Sequence, residues 1–359
     1  MPRADVITSP DDPKLDTLCE ELTARTAELD KTSDWPAEQL ELCGRFGVYQ
    51  WFLPQEWGGQ DWSELDIVRG YLRLSASCLT TTFIITQRSG ACRRIVEGAH
   101  RAVKSRLLPG LASGATFATV GISHLTTSRR HLGRPALRAE ETRAGFVLDG
   151  FSPWVTGAAY ADVVVLGAQL DDARQILVAL PAGTEGVTVP PPAELVGLSA
   201  SQTGEIRLDH VHLSREWLLA GPEENIMKGA AGAKTGGLQT STLAVGLAAS
   251  AIAYLEGESK QRADLSKPTA ELRRDHAGLE KDLLALAAGK EVCTNEALRA
   301  RANSLVLRAT QAALAAAKGA GYVVGHPAGR MAREALFFLV WSCPAPVMQA
   351  NLCELAGLE

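Results

Sequence analysis

The spacing of apolar residues changes twice along this chain, and these changes constrain its fold more than any other feature. From about residue 12 to 114, apolar residues recur every three or four positions, as in LDTLCEELTARTAEL, which indicates amphipathic helices. Between about 116 and 222 the period falls to two, as in GEIRLDHVHL, and glycine and proline separate the runs. Helical spacing returns from about residue 226. The pattern predicts an α+β chain with an N-terminal all-α domain (1–115), a small β-barrel domain (116–224) and a C-terminal four-helix bundle (225–359).

Composition narrows the functional class. The formal net charge of −5 gives no electrostatic case for nucleic acid, because phosphate binding requires an excess of lysine and arginine. The first residues lack the apolar core of a signal peptide, and no run of about 20 apolar residues follows, so we expect a cytoplasmic protein without a membrane span. The seven cysteines form no CxxC pair and are expected to be reduced. No metal site is predicted, since His210 and His212 alternate without further ligands nearby.

An apolar run near the C-terminus, ALFFLVWSCPAPVMQ, is interrupted at Pro344 and Pro346. Two prolines at this spacing end a helix, because each lacks an amide hydrogen and clashes with the preceding turn. Ser342 and Cys343 therefore lie at a helix end, where their side chains are candidates for catalysis.

The first two predicted domains resemble the acyl-CoA dehydrogenase family. FLPQEWGGQDWSELD is similar to that family's Pro-Glu-x-x-Gly-Gly stretch, although Gln55 precedes the glutamate here. GFVLDGFSPWVTGAAYADVVVLGA resembles its strand pair ending in Trp-Ile-Thr-Asn-Gly, and TGEIRLDHVHLSREWLLA resembles the strand that closes its β domain. The order of domains agrees with the same family.

Two C-terminal stretches extend the resemblance over nearly the whole chain. GESKQRADL is similar to the family's Arg-x-x-Phe segment, with Arg262 at the arginine. KGAGYVVGHPAGRMAREA resembles its Gly-Gly-x-Gly-Tyr…Pro…Arg-x-x-Arg-Asp-Ala run, with Gly319 and Gly321 at two of the glycines. Five matches in the family's order imply its fold, with FAD between the β domain and the helical bundle.

The resemblance also implies roles for single residues. Trp154 would cover one side of the isoalloxazine ring, and Thr156 would reach the region of flavin N5. Gly319 and Gly321 would let backbone amides approach the pyrophosphate of a neighbouring subunit's FAD. Arg262 would add a positive charge to that pyrophosphate. A homodimer or homotetramer follows from this sharing of flavin sites.

The family's first flavin motif, Thr-Glu-Pro-x-x-Gly-Ser-Asp, is replaced here by ATVGISHLTTSRRH. Ser123 and His124 fall near the position of the hydroxyl that contacts the flavin pyrimidine edge, and Ser128, Arg129 and Arg130 replace the second half. A histidine or arginine there would favour the anionic reduced flavin, but basic residues of a surface loop are an equal alternative for Arg129 and Arg130.

The larger departure concerns the catalytic base. Removing the α-proton of a thioester requires a positioned base, which is a glutamate in this family. The glutamate's position falls at Ser342, and the alternative position on an earlier helix falls at about Gly237. Serine is too weak a base, and Cys343 would need a lowered pKa. Packing is the simpler interpretation of Ser342 and Cys343, which leaves His124 as the first base to test.

Three functions are compatible with these residues. The first is an FAD-dependent oxidoreductase acting on an acyl thioester carried by CoA or a carrier protein, with an unusual or absent base and an electron-transfer partner. The second is a flavin-dependent monooxygenase served by a flavin reductase, which needs no α-proton base. The third is a degenerate homologue that binds flavin or an acyl group without turnover.

Overall fold

A computed structural model describes residues 5–126, 135–229 and 237–358. Helices precede and follow a central sheet, as predicted for this fold class. None of the helices in these ranges is long and apolar enough to span a bilayer. The N-terminal helices are α1 (Lys14–Thr32), α2 (Ala37–Arg45), α3 (Glu64–Ser77), α4 (Leu79–Glu97) and α5 (Arg101–Ser113).

Local sequence signals explain where the N-terminal helices begin and end. The Ser63 hydroxyl accepts a hydrogen bond from the Asp66 amide at 3.2 Å, which caps α3 at its first turn. Helices α3 and α4 meet at Cys78, whose extended backbone turns the chain back on itself. The Tyr71 and Ser89 hydroxyl oxygens lie 3.0 Å apart across the pair. The two helices therefore run roughly antiparallel.

The period-two region forms one mixed sheet. Strand order is β6-β7-β3-β2-β4-β5-β8, and β1 pairs with β4 in parallel, so that β4 has three partners. Burial alternates along β7 on either side of Asp209 and His210, which are both exposed at an irregularity in the pairing with β3. The elements are β1 (Ala118–Gly121), the short helix α6 (Ser123–Thr126), β2 (Leu137–Glu141), β3 (Gly145–Thr156), β4 (Val163–Gln169), β5 (Gln175–Pro181), β6 (Val187–Thr188), β7 (Thr203–Ser214) and β8 (Leu218–Glu223).

The C-terminal helices pack mainly around α7, whose small residues allow close approach. An added Cβ at Gly246 would lie 2.8 Å from the Leu72 carbonyl oxygen of α3, so this glycine sets the α3–α7 distance. The elements are α7 (Gln239–Ser259), α8 (Ser266–Ala287), α9 (Asn295–Ala317), α10 (Pro327–Ala335), α11 (Phe337–Val340) and α12 (Ala345–Leu355). The helix does end before Pro344, as predicted, and the two prolines begin α12.

A buried ionic cluster joins α1 to α10. Arg333 Nη2 donates to both carboxylate oxygens of Asp30, at 2.6 and 2.7 Å. Glu334 is only 3% exposed, and its carboxylate lies 3.8 Å from Arg330 Nε. Burial raises the pKa of Glu334 to about 7; Asp30 adds to the rise, whereas both arginines and the Thr80 hydroxyl oppose it.

This raised pKa predicts a pH-dependent stability. Folded Glu334 keeps its proton up to about pH 7, whereas the unfolded chain releases it near pH 4.5. The free energy of unfolding should therefore fall as pH rises from about 4.5 to about 7, by on the order of 3 kcal/mol. Glu334→Gln should abolish this part of the slope in urea unfolding curves, while the exposed Glu296→Gln should leave it unchanged. An equal slope in Glu334→Gln would show that another group titrates.

Candidate functional site

Two adjoining clefts meet at one wall. The helix cleft is bounded by α3, α4, the start of α7 and the end of β1, and it encloses about 150 Å³. The sheet cleft lies between the 195–198 loop, the ends of β3 and β7, and α10–α11, and it encloses about 360 Å³. Six residues line both: Phe83, Ser123, Trp154, Phe337, Trp341 and Ser342.

Trp154 lies near the C-terminal end of β3, which extends to Thr156 and so brings this residue to the shared wall. Its side chain remains 40% exposed, which is a large apolar area for a residue facing a cleft. Such a ring face suits a flat aromatic ligand, because stacking would remove that area from water. The Trp154 side chain is thus available in the clefts to a ligand of this kind.

Ser123 supplies an unused hydrogen-bonding group at the same wall. Its Oγ is buried and has no hydrogen-bond partner among the described residues. A buried hydroxyl without a partner is costly, so a polar ligand atom in the cleft would satisfy it. Trp154 and Ser123 together provide an aromatic face and a hydroxyl, which fit the ring system of a flavin.

Thr156 lies behind the sheet cleft rather than in its lining. It is 1% exposed, and its Oγ1 is 2.9 Å from Thr203 Oγ1, which is in turn 2.8 Å from Ser201 Oγ. Thr203 and Ser201 do line the sheet cleft. The hydroxyls nearest to a ligand are therefore these two, and no motif in the sequence singled them out.

His124 faces away from both clefts, although Ser123 beside it lines them. The ring is 8% exposed, and Nε2 lies 2.6 Å from the Gly167 carbonyl oxygen on β4. Burial lowers the pKa of His124 below its ordinary value, and the hydrogen bond to Gly167 opposes this shift. The neutral imidazole is thus held against the sheet, where it cannot reach a group in either cleft. Ser128, Arg129 and Arg130 lie outside the described residues.

Ser342 is presented to both clefts by a tightly held turn. Its φ of +42° is in the left-handed region, which is uncommon for a residue other than glycine. Arg299 of α9 donates to the Trp341 carbonyl oxygen at 3.2 Å, and Asn303 donates to the Phe338 carbonyl oxygen at 3.0 Å. Burial lowers the pKa of Arg299 to about 10. These two buried side chains of α9 fix the position of the turn.

Cys343 points away from the clefts. Its sulfur accepts from Asn351 Nδ2 at 3.9 Å, and it does not line either cleft. Burial raises the pKa of the Cys343 thiol, and the nearby Arg299 only partly offsets that rise. The side chain is therefore a thiol at neutral pH, not the thiolate that a base or nucleophile requires.

Both positions considered for a glutamate lie in the helix cleft. Ser342 and Gly237 each line it, and neither carries a carboxylate. Among the residues that the structure describes, Glu64 is the one carboxylate in the lining of either cleft. Glu64 begins α3, and the antiparallel run of α3 and α4 places it near the end of α4 remote from Phe83. The wall around Trp154 is therefore without a described carboxylate.

Three predicted cofactor residues lie outside the two clefts. Arg262 Nη1 donates to the Ala316 carbonyl oxygen at 2.6 Å, which ties the end of α7 to α9. An added Cβ at Gly321 would lie 2.8 Å from Ala317 Cβ, so this glycine is required for packing. Gly319 has open space on its Cα and is free to approach another molecule.

Residues 15–115 match the family description "Acyl-CoA dehydrogenase, N-terminal domain". Over 337 residues the chain is 23% identical to a probable acyl-CoA dehydrogenase, YngJ, of Bacillus subtilis (strain 168), and the alignment covers 88% of each chain. Butyryl-CoA dehydrogenase from Megasphaera elsdenii superposes with a TM-score of 0.83 at 19% identity, covering 95% of this chain and 96% of that one. The prolyl acyl carrier protein oxidase AnaB superposes with a TM-score of 0.80 at 15% identity, covering 96% and 99%.

These similarities extend well beyond the first domain. The N-terminal match, the similarity along most of the chain and the superposition of all three regions agree with one another. Residues 15–115 therefore match the N-terminal domain of the acyl-CoA dehydrogenases, which are FAD-dependent flavoproteins, and the chain as a whole has their fold.

Proposed function

We propose that this chain binds FAD at the wall shared by the two clefts and oxidises a short acyl group carried as a thioester. The observation that carries this proposal is the pairing of the exposed Trp154 face with the buried, unpartnered Ser123 hydroxyl. FAD would supply the acceptor for a hydride at this wall. Trp154 would stack on the ring, and the hydroxyls of Ser123 and Thr203 would orient it.

The acyl group would lie in the helix cleft, with its reacting carbons beside Trp154 and Ser342. Phe83, Phe337 and Trp341 close the space there as an aromatic cluster, with ring centroids 4.9 to 5.4 Å apart. Such packed rings exclude water and leave little room for a long alkyl tail. A short acyl chain is therefore the substrate that the cleft favours.

The proton on the α-carbon is the unusual part of the proposed reaction. No described carboxylate lies beside Trp154, and neither His124 nor Cys343 faces the reacting position. We propose that a base from solvent accepts this proton while the hydride would pass to FAD, and that the chain itself contributes only the positioning of the acyl group. Slow α,β-dehydrogenation is the expected consequence.

The same observation favours a second candidate, a flavin-dependent monooxygenase. Oxygen chemistry at a reduced flavin needs no base for an α-proton. The residues of the shared wall would therefore be enough for such a reaction, although no described carboxylate lies among them. An external flavin reductase would then supply electrons, whereas the first function passes electrons to an electron-transfer protein.

Anaerobic mixing of the FAD-loaded protein with acyl-CoAs of three to eight carbons distinguishes these functions. Oxidation of the acyl group predicts that short chains bleach the flavin. Absence of bleaching with every chain, combined with substrate oxygenation after chemical reduction and exposure to air, would replace the first function by the second. If the protein shows neither bleaching nor oxygenation, only a binding role remains.

The aromatic cluster predicts control of chain length. Phe337→Ala removes a half-buried ring from both clefts, so the affinity for S-octyl-CoA relative to S-butyl-CoA should rise at least about 10-fold, since each buried methylene contributes about 0.8 kcal/mol. Quenching of tryptophan fluorescence measures binding of these unreactive thioethers. Leu339→Ala, two residues away and outside both linings, is the matched control. An unchanged ratio in Phe337→Ala would place the acyl chain elsewhere.

We also propose that the chain forms a homo-oligomer. Gly319 is open and precedes Tyr322, Val323 and Val324, whose side chains are 63% to 90% exposed. An apolar run of this exposure beside a glycine supports contact with a second copy of the chain. Arg262 and Gly319 would then lie within reach of a flavin held by that copy.

A further inference from the structure

Two side-chain amides line the helix cleft, Gln87 on α4 and Gln239 at the start of α7. Both side chains are half-buried. A primary amide donates hydrogen bonds through its nitrogen and accepts them through its oxygen, so the partners of one end decide which end is left for a ligand. In both residues, neighbouring hydroxyl groups take the nitrogen.

The amide of Gln87 is oriented by Thr86. The Thr86 hydroxyl donates to the Phe83 carbonyl oxygen at 2.6 Å, which uses its one hydrogen. Its oxygen is then an acceptor, and Gln87 Nε2 donates to it at 2.9 Å. None of the described residues donates a hydrogen bond to Gln87 Oε1. The oxygen end of this amide is therefore the end left for a ligand in the cleft.

A second pair of hydroxyls orients Gln239. The Ser89 hydroxyl donates to the Thr86 carbonyl oxygen at 3.0 Å, and Tyr71 Oη lies 3.0 Å from Ser89 Oγ. Burial raises the pKa of Tyr71 to about 12, so its hydroxyl keeps the proton and donates it to Ser89. Gln239 Nε2 lies 3.5 Å from Ser89 Oγ, and the Gln239 amide also hydrogen-bonds the Tyr71 hydroxyl. Since both hydroxyl hydrogens are used, the amide nitrogen faces them, and Oε1 receives no hydrogen bond from the part of the chain that the structure describes.

Two acceptors without donors in one cleft favour a ligand that donates hydrogen bonds. A hydroxyl group does so without bringing a charge, whereas an ammonium group is costly to bury against neutral carbonyls. We propose that Gln87 and Gln239 bind a hydroxyl group carried by the acyl chain, which makes a short hydroxyacyl thioester the substrate class. This inference rests on the proposed function, because it takes the helix cleft as the site of the acyl group.

The position of Gln87 suits a hydroxyl on the acyl chain. Phe83 lies at the shared wall, and Gln87 follows one turn later on α4, which corresponds to about 6 Å along the helix axis. A hydroxyl a few bonds beyond the reacting carbons would reach this level of the cleft. The amide N–H groups of a pantetheine arm are a second source of donors. The probes below all carry this arm, so a difference between them reports on the acyl chain alone.

Calorimetric titration of the FAD-loaded chain with unreactive thioethers of CoA tests this proposal. S-(4-hydroxybutyl)-CoA is compared with S-pentyl-CoA, and S-(3-hydroxypropyl)-CoA with S-butyl-CoA, so that a hydroxyl replaces a methyl group of similar size in each pair. At least one hydroxyl probe should bind about 10-fold more tightly than its alkyl partner, which is the gain expected from a hydrogen bond to an otherwise unpaired carbonyl. S-(4-aminobutyl)-CoA should bind more weakly than S-(4-hydroxybutyl)-CoA.

Gln87→Met and Gln239→Met each replace the amide by an apolar side chain of similar length. The double variant should lose most of the gain, while its affinity for the alkyl probes stays the same or rises. Gln311→Met is the matched control, because Gln311 is an exposed glutamine of α9 outside both clefts. It should retain the full gain.

Three results would overturn the hydroxyl subsite and leave the proposed function intact. They are equal or weaker binding of both hydroxyl probes than of their alkyl partners, a gain that survives in the double variant, and tighter binding of the amino probe than of the hydroxyl probe. Failure of every probe to bind would overturn the proposed function as well.

Discussion

Ser342→Glu is expected to accelerate the anaerobic reduction of bound FAD by butanoyl-CoA at least about 100-fold. The reason is that a positioned general base contributes about 10²- to 10⁴-fold to proton abstraction, and no described carboxylate lies at this wall. Ser342 lines both clefts, so a carboxylate attached there would lie beside the acyl carbons. Serine already occupies the left-handed backbone region, so another non-glycine residue adds little strain. Stopped-flow absorbance of the flavin measures the rate.

Ser342→Gln is the control for this substitution, because glutamine has nearly the same size but cannot accept the proton. Gly237→Glu is an independent second site, since Gly237 lines the helix cleft as well. The rate of flavin reduction should increase in at least Ser342→Glu and should not increase in Ser342→Gln. Rapid reduction by the unaltered chain, equal to that of Ser342→Glu, would show that a base already reaches the α-carbon.

Trp154→Ala is expected to weaken FAD binding about 30-fold. The indole face is 40% exposed in the cleft, and an aromatic contact together with the apolar area that it covers contributes about 2 kcal/mol. Because the side chain is not part of a packed core, the free energy of unfolding without FAD should change little. Titration of the flavin-free protein with FAD measures the dissociation constant.

Trp154→Phe keeps a ring at the wall and should recover most of the affinity. The comparison separates stacking from general damage to β3, since both substitutions remove the indole N–H. An unchanged dissociation constant in Trp154→Ala would place the flavin away from the shared wall.

Much of the fold was predictable because it follows from local periodicity. The run GFVLDGFSPWVTG, for example, forms β3 as far as Thr156. The strand order was not predictable, because β1 pairs with β4 across 45 residues of sequence and no local signal specifies that contact. The start of α12 at the prolines was also missed, since prolines that end one helix can begin another.

The residues of the candidate site could be predicted only where they belong to a sequence motif. Trp154 and Ser342, which the sequence singled out, line both clefts. His124 does not, because the direction of its ring depends on the Gly167 carbonyl of a distant strand. Thr203 was missed because it is a small residue that belongs to no motif.

Calorimetric titration of the flavin-free chain with FAD tests the central claim most directly. We expect saturable binding of one FAD per chain, accompanied by quenching of the tryptophan fluorescence that Trp154 and Trp341 contribute at the shared wall. Absence of saturable binding, or binding that leaves tryptophan fluorescence unchanged, would contradict a flavin at this wall.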